Sequence, residues 1–179
     1  MIEVERRFIV KDDSWMNAID TESSVVIDQG YLMEENGNIV RVRMMQGIAN
    51  PDNYQSFLTI KGQRVSGMNK EFEYEIPHDD AEQLMGMCKY QIHKRRHYIK
   101  CADEKLTDDS NLKFNGLKWE IDEFNLINGG KLVIAEIELL NIGQRIEFPD
   151  WLGLEITMTN DYSNFNLAKN RLIAGEGND

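Results

Sequence analysis

The opening stretch Glu3-Val4-Glu5-Arg6-Arg7 sets two carboxylates and a guanidinium two residues apart, with Val4, Phe8 and Val10 between and after them. On a β-strand these alternate positions share one face, so Glu3, Glu5 and Arg7 would stand together. The spacing recurs down the chain. Arg41 and Arg43 lie opposite Val40, Val42 and Met44, and Lys61 follows Phe57 and Thr59. Glu71, Glu73 and Glu75 lie opposite Phe72, Tyr74 and Ile76. Lys94 shares a face with Arg96, Glu120 with Asp122, and Glu136 with Glu138. After the first strand each group carries a single sign. Two like charges ~7 Å apart on one face repel by roughly 2 kcal/mol at an effective dielectric near ~20. Surface strands usually avoid that cost by mixing signs or using Thr and Ser. A solvated face explains any single pair. The ordered series points instead to faces that look into a shared interior, where basic groups would hold an anion and acidic groups cations.

The chemistry of that interior is restricted. Carboxylates with no cysteine cluster and no spaced histidines suit a hard divalent cation, Mg²⁺ or Mn²⁺. His78, His93 and His97 have no partners at ligand spacing and read as structural or surface residues. There is no G-x-x-x-x-G-K-[ST] loop and no serine or cysteine nucleophile arrangement. Phosphoryl transfer fits what remains, because it relies on positioning and charge neutralisation by Arg, Lys and metal ions.

Such pairs need strands to position them. Alternation predicts strands at 2–10, 25–34, 38–46, 54–62, 69–77, 91–100, 117–124, 131–140 and 153–159. Asn36-Gly37 reads as a tight hairpin turn, Ser66-Gly67 as a loop and Asn128-Gly129-Gly130 as another turn. A short helix is expected over Ser14 to Ile19. A second, capped by Asp79 or Asp80, would run to about 88, and Asp161 or Asn160 would cap a last one. The expected class is α+β, mainly β: an eight-stranded antiparallel barrel with a few peripheral helices, its apolar faces packed outward against them. One domain over residues 1–174 and a disordered tail at 175–179 are expected.

A net charge of −11 argues against nonspecific binding to nucleic acid or anionic membrane. No apolar run approaches the ~18 residues of a membrane span, and the N-terminal stretch has no apolar segment of a secretory signal. Cys88 and Cys101 read as reduced thiols of a cytoplasmic protein.

The ordered motifs resemble the CYTH superfamily, the triphosphate tunnel metalloenzymes. EVERRFIV resembles the family's ExExK opening. DQGYL, RVR and LTIKG resemble its next strands, and EYEIP its E-x-E strand. KRRHY resembles its K-x-R strand. WEIDEF and AEIEL resemble its later acidic strands, and LGLEIT with DYSNFNLA its closing strand and helix. The resemblance implies a charged β-tunnel and metal-dependent hydrolysis of inorganic triphosphate to pyrophosphate and phosphate. It implies Glu3, Glu5, Glu136 and Glu138 as the metal set, with Mg²⁺ or Mn²⁺ as the ion. It implies Arg41, Arg43, Lys61, Lys94 and Arg96 as phosphate-binding residues. Arg7, Glu73, Glu75, Glu120 and Asp122 would serve catalysis through charge stabilisation, further ligation or water positioning. The alternatives are a class IV adenylate cyclase, a thiamine or nucleoside triphosphatase, and a non-catalytic polyphosphate-binding module. The partner would be a small-molecule triphosphate, with a homodimer as one possible assembly. Two departures stand out: Arg7 replaces the family lysine, and Glu71 stands where relatives often carry a basic residue.

Overall fold

The structure is a computed structural model describing residues 4–63, 70–101, 117–139, 144, 146–170, 172 and 173; the side chains of Asp20 and Thr21 are outside the description. Nine strands dominate: β1 (Val4–Val10), β2 (Asp20–Glu35), β3 (Asn38–Gly47), β4 (Tyr54–Lys61), β5 (Glu71–Glu75), β6 (Tyr90–Lys100), β7 (Lys118–Asn125), β8 (Lys131–Leu139) and β9 (Leu152–Glu155). A short 3₁₀ turn spans Asp13–Ala18, and two helices follow, α1 (His78–Met87) and α2 (Asn164–Lys169). Each strand overlaps a run predicted from alternation. Glu3, Ser66-Gly67 and the tail 175–179 lie outside the described residues.

The strands form one antiparallel sheet in the order β5-β4-β3-β2-β6-β7-β8-β1-β9. This differs from the expected eight-stranded closed barrel by one strand, and among the described residues no ladder joins β5 to β9. Strands far apart in that order nevertheless face one another. Lys61 on β4 acts electrostatically on Glu138 of β8, and Glu136 of β8 on Tyr31 of β2, although neither pair of strands is adjacent in the order. The sheet therefore curls around a common interior.

Local chemistry explains the joints. Asn36 (φ 51°) and Gly37 (φ 80°) turn β2 into β3 with two residues whose positive φ suits Asn and Gly. Gly30 lets α1 lie against β2, since a Cβ there would come within 2.5 Å of Cys88 Sγ. The helix caps differ from expectation. Pro77, not Asp79 or Asp80, precedes α1 without a side-chain bond, and the two aspartates sit in its first turn, where their charge favours the positive helix end. Ser163, not Asp161 or Asn160, caps α2 by accepting from the Asn166 N–H.

Two apolar clusters hold the sheet. The outer one joins Phe8, Trp15, Ile99, Trp119, Ile121, Ala135, Ile137, Leu139 and Trp151, all from the uncharged faces and the segments covering them. The other joins Tyr31, Ile92, Phe124, Ile134, Ile156, Leu167 and Ala168. Here the expectation that helices pack only outward fails. Ile134 lies directly across from Asp122, and Tyr31 from Arg41, so α2 packs on the charged face and fills one end of the interior. The alternating charges hid these apolar residues, which occupy the same faces as the acids and bases.

Candidate active site

The inward face builds a cavity of about 640 Å³. Strands β3 and β4 bring Arg41, Arg43 and Lys61 to one wall; β7, β8 and β1 bring Glu120, Glu136, Glu138, Glu5 and Arg7 to the other. Glu71 and Glu73 of β5, Arg96 of β6 and Lys169 of α2 complete its ionised lining together with Glu34 at the hairpin. Among the described residues the lining thus has seven carboxylates and six cations.

On the acidic wall, register makes the geometry. Glu5 lies directly across from Glu138, and Glu136 sits between Glu120 and Arg7. Burial pushes the Glu138 carboxyl above its ordinary range, and Glu120 and Glu5 push it further. Burial and then Asp122 do the same for Glu136, against the pull of Arg96. Like charges opposed across a ladder destabilise the sheet unless a cation lies between them. Hard oxygen donors under mutual repulsion fit a divalent cation. Among the described residues no three acidic, histidine or cysteine side chains already converge as a metal cage.

Arg7 is buried beside this wall. Its Nε lies 3.8 Å from Glu5 Oε1, and its Nη2 donates to the Thr159 carbonyl at 3.0 Å. Its backbone N–H donates to Thr157 Oγ1, so the segment leading to α2 is fastened to β1. The Nε groups of Arg7 and Arg41 are buried with no hydrogen-bond partner among the described residues, and both arginines line the cavity.

On the basic wall, Arg43 is held by Gln29, whose Oε1 accepts from its Nε at 3.2 Å while its Nε2 donates to Tyr31 Oη at 2.6 Å. Burial, then Arg41 and Arg96, lower the Arg43 guanidinium to about 10, so it stays charged at neutral pH. Burial drives the Tyr31 phenol up to about 12, keeping it protonated. Glu73 accepts from Thr59 at 2.9 Å and lies 3.7 Å from Arg41.

Three sequence-predicted residues do not line the cavity. Lys94 and Asp122 are packed behind it, 2.5 Å apart and almost wholly buried. Burial, with Arg96, lowers the Lys94 ammonium to about 8. Burial works against ionisation of Asp122, but Arg96 and Lys94 outweigh it and hold its carboxyl far below the usual range. Arg96 grips both oxygens of Asp122 at 2.7 Å, bonds Glu120, and reaches Glu136 at 3.3 Å. Glu75, exposed at the end of β5, is also outside the lining. Sequence reasoning missed Tyr31, Gln29 and the polar lip Asn160, Ser163, Asn164 and Asn166. Alternation within DQGYL would have put Gln29 and Tyr31 on one face. The lip has no strand period to reveal it.

The three histidines bond Ser56, Asp28 and Ser24 and line no part of the cavity. Both cysteines are free, their thiols pushed up to about 11 by burial. No helix among the described residues is long and apolar enough to cross a membrane.

The CYTH domain pattern matches residues 1–166. The chain is 34% identical over 169 residues to an inorganic triphosphatase of Acetivibrio thermocellus, covering 94% of each chain. It also superposes on a Hippeastrum protein studied as an adenylyl cyclase and described as having a dominant triphosphatase activity. That match has a TM-score of 0.52 at 13% identity, over 78% of this chain and 80% of that one, and speaks for the fold alone.

Proposed function

The chain belongs to the CYTH domain family, and on that premise we propose that it is an enzyme hydrolysing inorganic triphosphate to pyrophosphate and phosphate. The observation that carries the reading is the pair of opposed walls: Arg41, Arg43 and Lys61 face Glu5, Glu136 and Glu138 across one cavity. The inorganic triphosphatase of Acetivibrio thermocellus, alike over nearly the whole chain, supports the same substrate.

Among the described residues the lining carries seven carboxylates to six cations, so a polyanion would bind there more favourably with added positive charge. Glu5, Glu136 and Glu138, with Glu3 as a fourth candidate, would hold Mg²⁺ or Mn²⁺. Such an ion would neutralise phosphoryl oxygens and make phosphorus more electrophilic. Arg43 and Arg41 would clamp phosphoryl oxygens with planar, permanently charged forks. Arg7 would add a fixed charge between the acidic wall and the substrate. Water attacks the terminal phosphorus, the bridging P–O bond breaks, and pyrophosphate leaves. The water's proton would pass to a cavity carboxylate that the cation does not hold, such as Glu73 or Glu120. Glu73 and Glu120 would position that water.

The test is product analysis after incubation with inorganic triphosphate, ATP and thiamine triphosphate, each with Mg²⁺ and with Mn²⁺. Metal-dependent release of phosphate and pyrophosphate, fastest from inorganic triphosphate, is expected. Cyclic AMP as the main product from ATP would overturn the assignment. Tight binding of triphosphate without turnover would make the protein a binding module.

A further inference from the structure

Glu71 is the departure that the cavity turns to account. It lies directly across the ladder from Lys61, its side chain only 10% exposed. Its Oε1 accepts from Arg41 Nη2 at 3.0 Å, and its Oε2 lies 2.7 Å from Lys61 Nζ. One carboxylate therefore clasps two of the cations that face the cavity. Arg96 is engaged by Asp122, Glu120 and Glu136, which leaves Arg43 the least neutralised cation of the wall, 4.0 Å from Glu73.

We propose that Glu71 is a resident counter-anion that occupies the place of a substrate phosphoryl group on Arg41 and Lys61, yields those cations when triphosphate binds, and reclaims them as product leaves. The inference rests on the triphosphatase reading of the cavity. A carboxylate and a phosphoryl group offer the same charged oxygen acceptors to the same donors. An incoming anion must exchange with Glu71 instead of filling an empty cationic pocket, so the acid weakens ground-state binding. It opposes retention of the product that occupies this subsite for the same reason. Affinity is traded for release, and binding that is equal in ground and transition states does not raise turnover. Glu71 touches Arg41 and Lys61, not the reacting atoms, so its effect is on binding and release.

A purely structural role makes the opposite forecast. If Glu71 merely held Arg41 and Lys61 in place, its removal would loosen both and weaken binding. The experiment measures wild type, Glu71→Gln and Glu71→Ala by calorimetric titration with metal-free tripolyphosphate, pyrophosphate and orthophosphate, and by steady-state kinetics. Both variants are expected to bind tripolyphosphate about tenfold more tightly, the size of one charge-assisted contact released from competition. KM should fall, kcat should stay level or decline, and at least one product should inhibit more strongly. Weaker binding with a raised KM in both variants, while wild type hydrolyses triphosphate normally, would overturn the proposal and make Glu71 a support for the two cations. If Glu71→Gln does not fold, the Glu71→Ala titration decides by the same signs. A wild-type protein that neither binds nor cleaves triphosphate would sink the triphosphatase reading itself, a separate outcome.

Discussion

Lys94 and Asp122 on one side of the interior, and Arg41 and Glu71 on the other, come from the same sequence device of like-charged residues two apart. They have opposite fates. Lys94, Arg96 and Asp122 close on one another with almost no exposed surface and short contacts throughout. Arg41, Arg43, Lys61 and Glu71 face a cavity, and the Nε of Arg41 is buried with no acceptor among the described residues. The difference is one of neighbours. On β6 and β7 each charge finds its opposite directly across or one step along the ladder, and α2 with Phe124 and Ile134 seals the space beside them. On β3 the register sets uncharged partners on both sides of each arginine, Tyr31 and Thr59 for Arg41 and Gln29 and Phe57 for Arg43, and both guanidinium groups line the cavity. A closed ionic cluster fixes the fold, and an open one is available for a ligand.

The sharpest way to break this comparison is Asp122→Ala. It strands Lys94 in a buried site and leaves Arg96 only Glu120 and Glu136, and breaking a buried pair typically destabilises by about 3–5 kcal/mol. A large fall in the urea midpoint is expected, and a stability equal to wild type would show that the cluster is not closed. Arg43→Ala is the counterpart in the open cluster. It should cost about 3 kcal/mol of transition-state stabilisation in kcat/KM, with little change in the midpoint, and unchanged kinetics would remove Arg43 from the site. Arg7 straddles the two regimes, being buried yet lining the cavity. Arg7→Ala should lose at least ~2 kcal/mol in kcat/KM. Arg7→Lys should retain measurable activity through its charge while losing some stability, because a lysine cannot reproduce the fork that reaches Thr159.

A smaller effect separates the walls by pH. Glu136 and Glu138 take up protons more readily folded than unfolded. Their burial therefore destabilises the metal-free protein at neutrality, and that penalty is relieved as pH falls through their raised values. Asp122 works the other way. Its depressed value contributes stability above the ordinary carboxylate range of about 4, lost as pH falls below it. Thermal melting in chelator should therefore show Tm rising on mild acidification and then falling. A monotonic decline from pH 7 would show that the acidic wall is not strained. The smallest effect is expected at Arg6, whose pair with Glu155 is partly exposed and stacks near Phe148. Arg6→Ala should cost no more than about 1 kcal/mol in denaturant melts, and a loss like that of Asp122→Ala would mean the outer face is as critical as the inner.

Alternation with period two was enough to place all nine strands, to sort charged from apolar faces, and to bring Arg7, Arg41, Arg43, Lys61, Glu73, Arg96, Glu120, Glu136, Glu138 and Glu5 to one cavity. That information is local: a strand fixes which side chains share a face whatever lies across from them. Nothing local says how far along the axis a residue sits or what packs over it. Lys94 and Arg43 have the same type of neighbours in sequence, yet one is sealed behind the wall and the other faces the cavity. Register across β2, β6 and β7 and the descent of α2 onto the charged face made that choice. The same holds for Glu71, an acid among acids in sequence, whose clasp on Arg41 and Lys61 exists only because β3, β4 and β5 align their residues side by side.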